Sequence, residues 1–426
     1  MASAGAGIQE MAGQGRASAP ADLLVHIAPP ELGELPPVVD LLRRVAGLIG
    51  GRGPNIALAY ATGNGELAPA EAAAGTGQGD WLRILPYKGS SQDATLPGLH
   101  TAGDYLAALG AARASRARVC MMLGPDVTSV SAEALAGLAA PPLDGRADLA
   151  MPLYQLTPFE GLVNTAVLYP LTRSLFGAGA RYPLAFDLAM SPQMQQKMLA
   201  VAGRRQVQAD SFPWPATEAL VGGLKITQVG VGPRRLPHVE GADLTSIMTT
   251  ILGSLFAEAE AKAPQWQRVR PSVQAPEEIE AASLAAGAGL SAEAAPEAAG
   301  MLDSFRLGSA NLKEIWGMVL PPNTLLALRK LALLPAAEFR MKDALWSHIV
   351  YDFLLAYRQR TFSRSHLAGA FVPLYLGWVA SYVLEMTSVA VTGAQVERRI
   401  EELAEAFEAE KPYLLARWRW PDRFNP

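Results

Sequence analysis

Between residues 21 and about 270, short apolar runs alternate with stretches of helical spacing, which limits the chain to an α/β fold on a mainly parallel sheet. "DLLVHIA" (Asp22 to Ala28) reads as a first strand, and "VVDLLRRVAGLI" (Val38 to Ile49) has helical spacing. "NIALAYAT" (Asn55 to Thr62) reads as a second strand, ending in Gly63-Asn64-Gly65. Asp104 to Ala114 reads as a helix, followed by a buried strand over Arg118 to Leu123. In such sheets ligands lie beyond the carboxyl ends of the strands, so His26 to Pro30, Thr62 to Glu66 and Gly124 to Thr128 are expected to converge on one crevice.

The alternation then stops. Residues 272–304, rich in Ala, Glu, Gly and Pro, read as a linker, with Gly287 to Gly300 expected to be poorly ordered. Residues 305–426 read as a helical domain, with apolar faces of period 3.6 over Lys342 to Arg360 and Gln395 to Lys411. The expected organisation is a disordered tail over 1–20, an α/β domain over 21–271, the linker, and the all-α domain.

Half of the 426 residues are hydrophobic and 18% are charged, which is enough for a large core. The net charge of −4 argues against a nucleic-acid partner, whose phosphates call for a basic face. The single cysteine, Cys120, lies in an apolar run and can form neither an internal disulfide nor a thiolate cage, so a cytoplasmic location is expected. The run "AGAFVPLYLGWVASYVL" (Ala368 to Leu384) carries no charge, but it is short for a bilayer and is interrupted by Pro373 and Gly377. It is expected to be a buried helix packed against Trp346 to Tyr357 and Val396 to Phe407. Peripheral membrane contact without spanning, and a homo-oligomer or protein partner, are further expectations.

From Ala147 to Ser191 the chain reads "ADLAMPLYQLTPFEGLVNTAVLYPLTRSLFGAGARYPLAFDLAMS". This stretch, with Trp214 to Arg235, Gly241 to Phe256 and the helical end, resembles the bacterial sugar-nucleotide glycosyltransferases that include glucosylglycerate and mannosylglycerate synthases. The likeness rests on Pro152-Leu153-Tyr154, on Phe159-Glu160-Gly161 with Asn164, on Tyr169-Pro170-Leu171, and on Tyr182 to Asp187. It implies a GT-A-like fold, a mixed and mainly parallel sheet with a C-terminal all-α domain. The implied donor is a nucleotide-diphosphate sugar and the implied acceptor a small, glycerate-like hydroxylated molecule. The implied cofactor is Mg2+ or Mn2+.

The same resemblance shows where polar positions have changed. An Asp-Gly-Gly-Ser turn of the family reads Thr62-Gly63-Asn64-Gly65 here, and an Asp-x-Asp-Leu-Arg-Ser motif reads Gly124 to Ser129. A Gly-Lys-Gly reads Gly98-Leu99-His100, the aspartate expected before Trp214 falls at Phe212 with Asp210 upstream, and a metal-ligand histidine falls near Arg235. The residues that this implies for the donor are Ala28, Pro29, Thr62, Gly98, His100, Asp126, Arg234 and Arg235, with Asp126 and His238 as metal ligands. Asp187 and Asp210 are the catalytic candidates. Tyr154, Glu160, Asn164, Asp352 and Arg358 are the acceptor candidates. On spacing alone Tyr154 reads as core, and Asp352 and Arg358 as charges on a solvated helix face.

Paired carboxylates hold a metal that offsets a departing diphosphate, and guanidinium groups can do the same without metal. Three functions are therefore open: a hexosyltransferase, metal-dependent or metal-independent through Arg234-Arg235; a catalytically inactive relative that regulates or scaffolds; and a structural subunit held by its apolar helices.

Overall fold

"LLVHI" forms β1 (Leu23–Ile27), buried along its whole length between two parallel neighbours, β2 (Ile56–Thr62) and β4 (Val119–Leu123). A strand covered on both faces has no need of polar alternation, which is why β1 and β4 read as continuous apolar runs. The computed structural model describes residues 19–27, 35–49, 55–62, 81–88, 99–177, 179–205, 212–234, 243–269, 277–280, 295–387 and 392–420. Residues 1–18 of the expected disordered tail and residues 287–294 of the Gly287 to Gly300 stretch lie outside the described residues, while 298–300, expected to be poorly ordered, begin a helix.

Outside β2 lies β3 (Leu82–Lys88), a parallel strand that the alternation does not mark because Arg83 and Pro86 interrupt its apolar run. On the other side of β4 come β6 (Leu188–Met190), β5 (Leu149–Gln155), β7 (Ile226–Pro233) and β8 (Glu277–Glu280), giving the order β3-β2-β1-β4-β6-β5-β7-β8. Of these described strands β6 alone is antiparallel, to both β4 and β5. The mixed, mainly parallel sheet bears out the α/β reading and is consistent with a GT-A-like fold. β8 corrects the linker: "EEIE", read as low-complexity sequence, pairs with β7 through its backbone, to which composition is a poor guide. Helices Leu35–Ile49 and Ala132–Leu143 pack on each other, as do Ala102–Ser115 and Pro192–Arg205.

The described residues fall into two units, and neither is one contiguous stretch. The first takes residues from 1–155, 182–239 and 276–285; the second takes 156–181, 240–275 and 286–426. A single boundary near 271 is therefore not what the chain shows. Residues 156–181 sit with the helical unit because Tyr169 and Arg173, on helix Tyr169–Phe176, bind Glu401 and Glu408 on helix Gly393–Arg419.

In the helical unit, Ala298–Asn311 is an ordered helix, so residues 298–304 are not linker. Helix Arg364–Thr387 is long and apolar enough to cross a membrane by length and composition, with 72% of its apolar window buried inside the protein. Its main neighbours are Ala298–Asn311, Leu244–Ala261 and Asp343–Gln359, whereas Gly393–Arg419 packs on Asp343–Gln359 and Tyr169–Phe176. The expected packing on Trp346 to Tyr357 is present; towards Val396 to Phe407 the helix makes the Arg399–Glu385 ion pair at 3.0 Å, and helix Ala298–Asn311 is its main neighbour. Two glycines explain the close approach: a Cβ on Gly308 would come within 2.6 Å of Pro373, and one on Gly377 within 2.8 Å of Phe305.

Candidate functional site

Because β1, β2 and β4 are parallel and in register, Ile27 and Leu123 lie side by side at their carboxyl ends, next to Tyr60 of β2. β4 then runs into Gly124-Pro125-Asp126 and a short 3-10 turn, Val127–Ser129. Asp126 takes a left-handed conformation (φ 52°), which aspartate tolerates better than most residues. Its carbonyl accepts from the Ser129 hydroxyl at 2.8 Å, fixing the turn. Glycine at 124 has a steric cause: a Cβ there would stand 2.8 Å from Phe186 Cβ. Position 124 is thus closed to any side chain by Phe186.

Behind this turn is a buried polar centre. Asp187 is 1% exposed, and both of its carboxylate oxygens are engaged. Oδ1 accepts from the Gly124 amide at 3.0 Å and from Arg234 Nη2 at 3.2 Å. Oδ2 accepts from the Tyr154 hydroxyl and from Arg234 Nε, each at 2.9 Å. The Asp187 amide donates back to the Tyr154 oxygen at 3.2 Å. Arg234 completes its set on the β4 turn: Nη1 donates to Asp126 O and Ser129 Oγ, and Nη2 to Pro125 O, all at 2.7 Å. A guanidinium has five N–H groups, and these bonds use all five. Arg234, expected to meet a diphosphate, instead has its donors spent on the protein.

Local backbone aims these side chains. The β5–β7 register slips between Leu153 and Tyr154, whose partners are Gly230 and Gly232, leaving Val231 as the extra residue of a bulge. Gly232 has φ +75°, open to glycine at little cost. The bulge residue Val231 lies three residues before Arg234, and the register resumes at Tyr154. Burial pushes the Tyr154 phenol well above its ordinary pKa, and the Asp187 charge adds to this. Burial alone would lower the Arg234 guanidinium, but the Asp187 carboxylate outweighs it and the net shift is upward.

Two histidines, His26 and His100, are buried beside this centre. His100 Nε2–H donates to Phe186 O at 2.6 Å and so holds the peptide that leads into Asp187. Its ring meets those of His26 and Tyr105 edge-on, at 6.0 and 6.1 Å. Burial lowers the pKa of both histidines, His26 to about 3, so both are neutral near pH 7.

The remaining candidates belong to the helical unit, apart from those outside the described residues. Glu160 closes its own turn by accepting from the Thr157 amide at 2.7 Å, and Asn164 Nδ2 donates to Arg181 O at 3.0 Å. Asp352 is no solvated-face charge. It is 1% exposed and accepts from the Tyr413 hydroxyl and Arg417, supplied by helix Gly393–Arg419, and burial pushes its carboxyl up to about 7 despite Arg417. Arg358 is half-buried, 4.2 Å above the Trp418 ring and donating to Trp418 O at 2.7 Å. Tyr154, Asp187, Asp126 and Arg234 come together, with Ser129 as a partner that sequence reading did not single out. Ala28, Pro29, Gly98, Asp210, Arg235 and His238 lie outside the described residues, and of Thr62 only the strand-end backbone is described.

Among the described residues no three His, Cys, Asp or Glu side chains are grouped to hold a metal ion. Chemically the β4 turn does not fit one either, since it offers a single carboxylate, Asp126, while Asp187 is saturated by Gly124, Tyr154 and Arg234. No family model matches the sequence, and no curated protein matches it. Among solved structures, the chain is similar to mannosyl-3-phosphoglycerate synthase from Rubrobacter xylanophilus, at 14% identity and a TM-score of 0.38, over 64% of this chain and 82% of that one.

Proposed function

We propose that this chain is a glycosyltransferase-like protein that has given up metal-assisted sugar transfer and acts by binding, as a regulatory or scaffold protein. The observation that carries this reading is the saturation of Arg234. Transfer from a nucleotide-diphosphate sugar needs a cation to take up the charge of the leaving diphosphate. Arg234 can take up that charge only by releasing Asp187 and the β4 turn. A general base must be able to accept a proton from the acceptor hydroxyl. Asp187 can do so only by losing donors that also hold Gly124 and Tyr154 in place.

The test is incubation of the whole protein with UDP-glucose, GDP-mannose or ADP-glucose and glycerate, with Mn2+ or with EDTA, alongside calorimetric titration of the nucleoside diphosphates. The expected result is no turnover, and any diphosphate binding unchanged by EDTA. Turnover that requires Mn2+ overturns the proposal. Turnover that survives EDTA also overturns it, in favour of metal-independent hexose transfer to a small acceptor.

A further inference from the structure

Six large hydrophobic side chains are exposed among the described residues, and four of them, Leu307, Met318, Leu326 and Leu333, fall within 307–333. Two of the four share one helix face. Helix Pro322–Ala332 turns Thr324, Leu328 and Leu331 inward. Its opposite side carries Leu326 at 51% exposure, exposed Arg329 and Lys330, and then Leu333, just past the helix end, at 86%. The spacing 326, 329, 330, 333 puts two leucines and two cations on one stripe. An open stripe of this kind is suited to contact with a partner surface.

The charge pattern selects the occupant. From Ile315 to Ala337 the sequence contains no aspartate or glutamate and two basic residues, in a chain whose net charge is −4. A second copy docking through the same face about a two-fold axis would set Arg329 and Lys330 against their own counterparts. An anionic surface meets them without that conflict. Leucines between long cationic side chains also suit a bilayer interface, where apolar groups enter the acyl boundary and the cations reach back to the headgroups. We infer that the Pro322–Leu333 face docks on the surface of an anionic lipid bilayer, lying on it rather than crossing it.

Co-sedimentation of the full-length protein with phosphatidylcholine vesicles, with or without phosphatidylserine, tests this. The wild type should partition onto the phosphatidylserine vesicles at low salt and leave them at high salt, where surface charges are screened. Neutralising both cations (Arg329→Gln with Lys330→Gln) should weaken that partition roughly thirtyfold. Leu326→Ser with Leu333→Ser should abolish it; as both leucines face solvent, the circular dichroism spectrum should be unchanged. Equal partition with and without phosphatidylserine, or none at all, overturns the inference. So does a wild-type dimer, detected by light scattering, that Leu333→Ser converts to monomer.

Discussion

Replacing Arg234 by methionine keeps most of the side-chain volume and removes the charge and all five donors. Asp187 then stays buried with only the Gly124 amide and the Tyr154 hydroxyl, while Pro125 O, Asp126 O and Ser129 Oγ each lose a donor. Breaking a buried ion pair by removing one partner costs about 3–5 kcal/mol, because the remaining charge is left uncompensated. For domains of this size, each kcal/mol moves the midpoint by about 2–4 °C, so calorimetry should show a loss of about 6–20 °C. Asp187→Asn should cost a similar amount by stranding Arg234. The double variant should cost clearly less than the sum, with a coupling of at least about 2 kcal/mol. A loss below about 1 kcal/mol for Arg234→Met, or additive single effects, would refute the view that the two groups form one unit. Arg234→Ala goes further and vacates a space ringed by the Asp187 carboxylate, two carbonyls and a hydroxyl, all oxygen donors suited to a hard cation. Mn2+ should raise the midpoint of that variant and leave the wild type unmoved.

Gly124→Asp should lower stability by about 1–3 kcal/mol, because its Cβ meets Phe186 at 2.8 Å, and it should not confer Mn2+ binding by calorimetry. Gly308→Ala and Gly377→Ala should each lower the thermal midpoint, since contacts of 2.6 Å and 2.8 Å outweigh the roughly 1 kcal/mol that alanine gains over glycine in a helix. Burial raises the Asp352 carboxyl to about 7, above its unfolded value near 3.9, so its contribution to stability is full at low pH and is lost as pH rises towards 7. Asp352→Asn should remove that slope, and the difference between the denaturant midpoints of wild type and variant, followed from pH 4 to 8, measures it.

What could be read from the sequence depended on whether one segment carried the signal. β1 and β4 were legible because burial on both faces writes itself as an unbroken apolar run, and Arg364–Thr387 because a buried helix does the same over a longer span. β3 and β8 were not, since proline, arginine and glutamate stand in strands whose pairing is through backbone. In the candidate site, Asp187 and Tyr154 came from the family resemblance. Their tie to Arg234 could not be foreseen, because it joins residues 33, 47 and 108 positions apart in the chain. Arg234 and Arg235 look alike in sequence, and the register shift at Val231, three residues before Arg234, leaves no mark there.

The excursion of residues 156–181 out of the sheet unit sets an order of events during synthesis. Arg173 emerges from the ribosome 228 residues ahead of Glu401. At about 5–20 residues per second, that leaves an interval on the order of ten to fifty seconds in which the sheet strands can already pair on either side of an unpartnered helix. The nascent chain must therefore carry exposed the part of Tyr169–Phe176 that helix Gly393–Arg419 covers, until that helix has been made. A ribosome stalled before that point would hold a chain whose sheet is complete and whose excursion is still available to a chaperone.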